Sequence, residues 1–123
     1  PPHSPDPHLV PAVQRIAARQ HLQLGYAAYW DAAPLTWGTH YRVLVYPVSV
    51  CPQGQRLCPF DLRLISSWYE PRLGVRSFLL TDRRTGLVPA PPPGLGRPSA
   101  VYRIGPATMY VYPYDLARRF AVT

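Results

Sequence analysis

Apolar residues between His8 and His21 recur at Leu9/Val10, Val13 and Ile16/Ala17, and the series continues at Leu24. This spacing draws one stripe down a helix and predicts an amphipathic helix over the segment. Asp6 stands where an N-cap belongs and Pro7 at the first helical position, with Pro11 near enough to the first turn to be tolerated. After Gly25 the periodicity changes. Tyr26-Ala27-Ala28-Tyr29 reads as a short buried strand, and Asp31–Trp37 as a short helix that Asp31 caps and Pro34 opens. Arg42–Val50 is a run of β-branched and aromatic residues and predicts a strand. Asp61–Ile65 alternates polar and apolar in strand fashion, and 66–71 reads as a loop or short helix. Ser77–Asp82 is apolar on both faces, as strands of a parallel sheet are. Residues 86–98 are too rich in Pro and Gly for a ladder or a helix and predict an irregular excursion. Ala100–Ile104 and Thr108–Tyr112 flank a Gly105-Pro106 turn and predict a hairpin, and Asp115–Phe120 a closing helical turn.

Alternation of helix and strand with a final hairpin predicts an α/β fold. We expect a small single domain with a mixed, partly parallel sheet, flanking helices and a C-terminal β-hairpin. The chain has 123 residues, enough for one core. Residues 1–8 hold four prolines and read as a linker or fraying terminus, leaving 9–123 as the domain. No apolar run approaches the roughly 20 residues that cross a bilayer. The opening residues lack the basic and apolar regions of a signal peptide and there is no initiator Met, so we expect a piece of a longer protein.

All 13 basic residues are Arg, and six acids leave a net charge of +7. One reading is a coding bias that favours Arg, Ala, Pro and Gly; the other is a surface that attracts phosphates or anionic headgroups. Only Arg83-Arg84 and Arg118-Arg119 are adjacent, whereas a nucleic-acid stripe would be more clustered. Cys51 and Cys58 bracket a turn at Gln53-Gly54. The spacing suits a hairpin-closing disulfide, hence an oxidising compartment, against the alternative of two reduced, buried thiols. It is not a metal or redox Cys-x-x-Cys motif.

Candidate chemistry is sparse. Tyr26, Tyr29 and Trp30 could form an aromatic platform for a sugar ring, with Asp31 accepting hydroxyl hydrogen bonds; alternatively they face the core and Asp31 only caps a helix. Trp68 and Tyr69, beside Glu70, pose the same choice. Neither a nucleophile elbow around Ser66 or Ser67, nor a defined carboxylate pair, nor metal-ligand spacing of the four His is present, so no catalytic residue, metal or cofactor is assigned.

The run Gly25-Tyr26-Ala27-Ala28-Tyr29-Trp30-Asp31-Ala32, then Leu35-Thr36 and Arg42-Val43-Leu44-Val45, resembles the soluble C-terminal portion of certain bacterial membrane proteins. These are the polyprenyl-phosphate-sugar-dependent glycosyltransferases of the GT-C class, similar to dolichyl-phosphate-mannose mannosyltransferases. Ser66-Ser67-Trp68-Tyr69 matches a second segment of that family but lacks one intervening residue, and Phe78-Leu79-Leu80 and Tyr110–Asp115 add to the likeness. The likeness spans residues 9–82 and 104–116. It implies a non-catalytic extracytoplasmic accessory domain, joined to a membrane-embedded region of the same polypeptide and contacting a glycan or polyprenyl-phosphate sugar. In that family the catalytic acids belong to loops of the preceding membrane region. Two other classes remain: a protein-interaction module of a secreted or envelope protein, and an Arg-rich nucleic-acid-binding domain, which the cysteine loop disfavours.

Overall fold

The computed structural model describes residues 6–59, 66–85, 88 and 90–121. Helix α1 (Leu9–Gln20) leads into strand β1 (Leu24–Ala27), helix α2 (Tyr29–Gly38) and strands β2 (Leu44–Val50) and β3 (Leu57–Pro59). Strands β4 (Ser77–Asp82), β5 (Ala100–Ile104) and β6 (Ala107–Tyr112) follow, with 3-10 turns at Ser66–Tyr69, Pro93–Leu95 and Leu116–Arg119. The six strands among the described residues join one sheet in the order β3-β2-β1-β4-β6-β5. β1 runs parallel to β2 and β4, and the remaining pairings are antiparallel. This is the mixed, partly parallel α/β sheet expected, closed by the β5–β6 hairpin. The strand expected at Asp61–Ile65 lies outside the described residues, as does most of the proline-rich start.

Side-chain alternation explains the two cores. On one face Ala27, Val45, Phe78, Leu80, Met109 and Val111 meet Leu9, Val13 and Ile16 of α1 and Ala32 and Leu35 of α2. On the other, Leu24, Tyr26, Leu79 and Tyr112 meet Tyr69, Leu95, Leu116 and Phe120, which the 3-10 turns and their flanks supply. Both α-helices therefore cover one face. The stripe on α1 dictates its side of that contact, and β4, buried at every residue, serves both cores. Gly25 permits this arrangement, because a Cβ there would lie 2.2 Å from the Phe78 ring.

Local boundaries shift from the sequence expectation for definable reasons. His8, not Asp6, is the N-cap of α1, and it makes no side-chain cap bond. Asp6 acts earlier, accepting the His8 N–H on its carboxylate at 2.9 Å and the Leu9 N–H on its carbonyl. α2 begins at Tyr29, because the Ala28 carbonyl already accepts from Asp31 and Ala32 N–H groups. Asp31 thus lies in the first turn rather than capping it, and β1 ends at Ala27.

Cys51 and Cys58 form a disulfide with Cα atoms 5.1 Å apart, closing the β2–β3 hairpin. The loop is docked as well as stapled: Gln55 O accepts from Gly94 N–H at 2.9 Å, and Leu57 O from Ala121 N–H at 3.0 Å. A bridge of this kind suggests an oxidising, extracytoplasmic environment. No helix among the described residues is long and apolar enough to cross a membrane.

Candidate aromatic groove along strand β2

Among the described residues β3 pairs with β2 at Val48, Ser49 and Val50, and none of them adds a strand to Leu44–Pro47 on that side. Unpaired edges invite another strand. Here side chains seal it. The Thr36 hydroxyl accepts from Val45 N–H at 2.9 Å and lies 3.1 Å from Val45 O, to which it donates. Two residues on, Pro47 has no N–H, and the Tyr69 hydroxyl donates to its carbonyl at 2.7 Å. A strand-adding peptide finds these backbone positions taken.

Over the sealed edge lies a groove of about 410 Å³, with Tyr29, Trp37 and Tyr41 on one side and Tyr46, Pro47 and Trp68 on the other. Trp37 is 65% exposed, Tyr41 63% and Tyr29 46%, large apolar surfaces left in water. Tyr46 and Trp68 stack at 4.8 Å with planes 11° apart, and the Arg72 guanidinium sits 5.8 Å from the Tyr46 ring centre. Tyr41 is placed at backbone cost, since His40 and Tyr41 have φ of 56° and 62°. Bulky residues avoid that left-handed region by about 1–2 kcal/mol each. Bonds from Tyr41 N–H to Thr36 O, and from Val43 N–H to the Thr39 hydroxyl, hold the turn. The groove offers ring faces and few polar atoms, a surface suited to apolar or ring-stacking ligands.

The structure separates the residues singled out by sequence. Tyr29 and Trp68 line the groove. Trp30 stands beside it, edge-on to Tyr29 at 5.0 Å and 42% exposed. Tyr69 is buried beneath the groove and serves the edge through its hydroxyl. Tyr26 does not join any platform: it is fully buried, packs edge-on to Phe120 at 4.8 Å, and donates to Asp115 Oδ1 at 2.6 Å. Strand alternation is the reason, because Tyr26 points to the face opposite α2. Asp31 is likewise corrected, from surface acceptor to a carboxyl that is 2% exposed. Trp37, Tyr41 and Tyr46 were not anticipated. Trp37 closes α2 while Tyr41 lies beyond it in a left-handed turn, so no helical spacing in the sequence links the two.

Asp31 belongs to a second constellation, at the C-terminal ends of β1 and β4. The sheet's connections diverge there, as at the ligand crevices of other open α/β sheets. Asp82 accepts from Arg84 N–H at 2.9 Å, Nε at 3.3 Å and Nη2 at 3.1 Å, and shares a side-chain hydrogen bond with Asp31. Burial raises the Asp82 carboxyl, but the Arg84 bonds and charge, with the bond to Asp31, outweigh it and hold Asp82 below the usual range. The pairing ties the β4 turn to the start of α2.

Among the described residues no three or more His, Cys, Asp or Glu side chains gather closely enough to hold a metal. Comparison with protein-family models, curated proteins and solved structures returned no match.

Proposed function

We propose that this chain is a non-catalytic extracytoplasmic accessory domain of a membrane glycosyltransferase-like protein, and that its groove holds a sugar ring. The observation that carries the reading is the set of solvent-exposed Trp37, Tyr41 and Tyr29 faces around the concavity on β2. A pyranose presents apolar C–H faces between its hydroxyls, and flat aromatic surfaces in a shallow groove complement them. The disulfide accords with an extracytoplasmic site. The sequence likeness over residues 9–82 and 104–116 supplies the link to a membrane-embedded region of the same polypeptide. A nucleic-acid reading fares worse, because among the described residues the groove lining includes no Arg for a backbone phosphate.

The test is a tryptophan-fluorescence titration with a panel of soluble mono- and oligosaccharides. A saturable change in the wild type that is lost in Trp37→Ala and reduced in Trp30→Ala, with melting temperatures unchanged, supports sugar binding. No response to any sugar, with apolar or peptide ligands quenching instead, overturns it in favour of an interaction module.

A further inference from the structure

The Arg118-Arg119 doublet lies away from the groove, at the end of the last 3-10 turn. Its two guanidinium carbons sit 4.6 and 5.2 Å from the centre of one ring, that of Tyr114. The ring is fixed in turn: its hydroxyl donates to Leu95 O at 2.6 Å, and its plane packs against Tyr112 at 6.0 Å. The backbone beneath is equally anchored. Asp115 accepts the Ala117 N–H at 3.0 Å, and Leu116, Ala117 and Phe120 are buried. Gly96 closes the arrangement at φ +83°, where a Cβ would lie 2.5 Å from the Tyr114 hydroxyl and 3.7 Å from Arg119 Nη1.

Two adjacent guanidiniums repel one another and ordinarily share a carboxylate. Here none is within salt-bridge reach among the described residues, whereas Arg72 and Arg84 each have an aspartate. Asp31, Asp82 and Asp115 are buried in their own bonds and leave the surface strongly cationic. The ring quadrupole holds both cations without neutralising either. We propose that Arg118 and Arg119, pre-positioned on Tyr114, form a binding site for a phosphate group, whose oxygens match the planar donor forks of two guanidiniums. The site is independent of the sugar reading of the groove.

The same chemistry is offered by a soluble phosphate ester and by a phospholipid headgroup, and two arms separate them. In the first, inorganic phosphate and pyrophosphate are titrated at constant ionic strength while the Arg side-chain and Tyr114 ring signals are followed by NMR. We expect saturable shifts centred on Arg118, Arg119 and Tyr114, and affinity at least about tenfold weaker in Arg118→Gln/Arg119→Gln. The double Lys variant keeps the charge but loses the forks and should also bind more weakly. In the second, sedimentation with phosphatidylcholine vesicles is compared with and without phosphatidylglycerol. Loss of anionic-vesicle binding in the Gln double variant assigns a lipid source; phosphate binding without vesicle binding assigns a soluble one. Shifts spread evenly over all exposed arginines, or both arms unchanged in the Gln double variant, overturn the proposal. A matched melting temperature confirms that the variants are folded.

Discussion

The Thr36 hydroxyl engages both backbone polar groups of Val45, so a side chain of α2 takes the positions that a neighbouring strand would otherwise occupy. The groove therefore rests on a satisfied edge rather than a reactive one. Thr36→Val preserves shape but leaves Val45 N–H and C=O without these partners. We expect a loss of about 1–3 kcal/mol in urea unfolding, while Thr36→Ser stays close to wild type. Equal stability of the Val and Ser variants would show that the edge does not depend on the hydroxyl.

Two buried tyrosines should respond oppositely to loss of their hydroxyls. Tyr26 donates to Asp115 at 2.6 Å, and Tyr26→Phe removes a partner from a buried carboxylate. A cost of about 1–3 kcal/mol is expected. The Tyr112 hydroxyl is buried with no hydrogen-bond partner among the described residues. Tyr112→Phe removes that burden and should be neutral or stabilising by up to about 1 kcal/mol. Calorimetric melting of both variants checks the contrast.

Alkaline titration gives a second view of these residues. Burial first, then the bond to Asp115, pushes the Tyr26 phenol far above its ordinary value, and burial moves that of Tyr112 up to about 12. Ultraviolet titration should leave Tyr112 un-ionised until about pH 12. Tyr26 should ionise only on unfolding. A full-amplitude transition near pH 10 in folded protein would contradict the burial of both rings.

Asp82 governs part of the acid limb of stability. Its folded carboxyl titrates below the model-peptide value of 3.8, so the unfolded state binds its proton first as pH falls. Its contribution is present above about pH 4 and is lost as pH drops through the lower folded value. The melting temperature should fall on acidification below about pH 4, with a shallower fall in Asp82→Asn. Parallel wild-type and variant profiles would remove Asp82 from the account.

Reducing the Cys51–Cys58 bridge frees a hairpin whose cysteines are seven positions apart. The chain-entropy estimate for so short a loop is about 2.5 kcal/mol. Urea midpoints with and without reductant, compared with Cys51→Ser/Cys58→Ser, should agree on a loss of that order. The same change should loosen the Gln55–Gly94 and Leu57–Ala121 contacts, seen as faster amide exchange at Gly94 and Ala121.

Features that depend on local spacing were legible in the amino-acid order. The stripe of α1, the doubly apolar run of β4, the hairpin around Gly105-Pro106 and the cysteine staple all follow from periodicity and turn chemistry over a few residues. Tertiary structure decided where the aromatics point. Tyr26 and Tyr29 belong to one motif, yet strand alternation buries the first while the start of α2 exposes the second. Asp31 looks like a cap until the fold brings Asp82 and Arg84, some 50 residues away in sequence, against it. The groove itself joins α2, β2 and Trp68, which are distant in the chain and meet only in the fold. Contacts between segments distant in the chain set that geometry, and no local pattern encodes it.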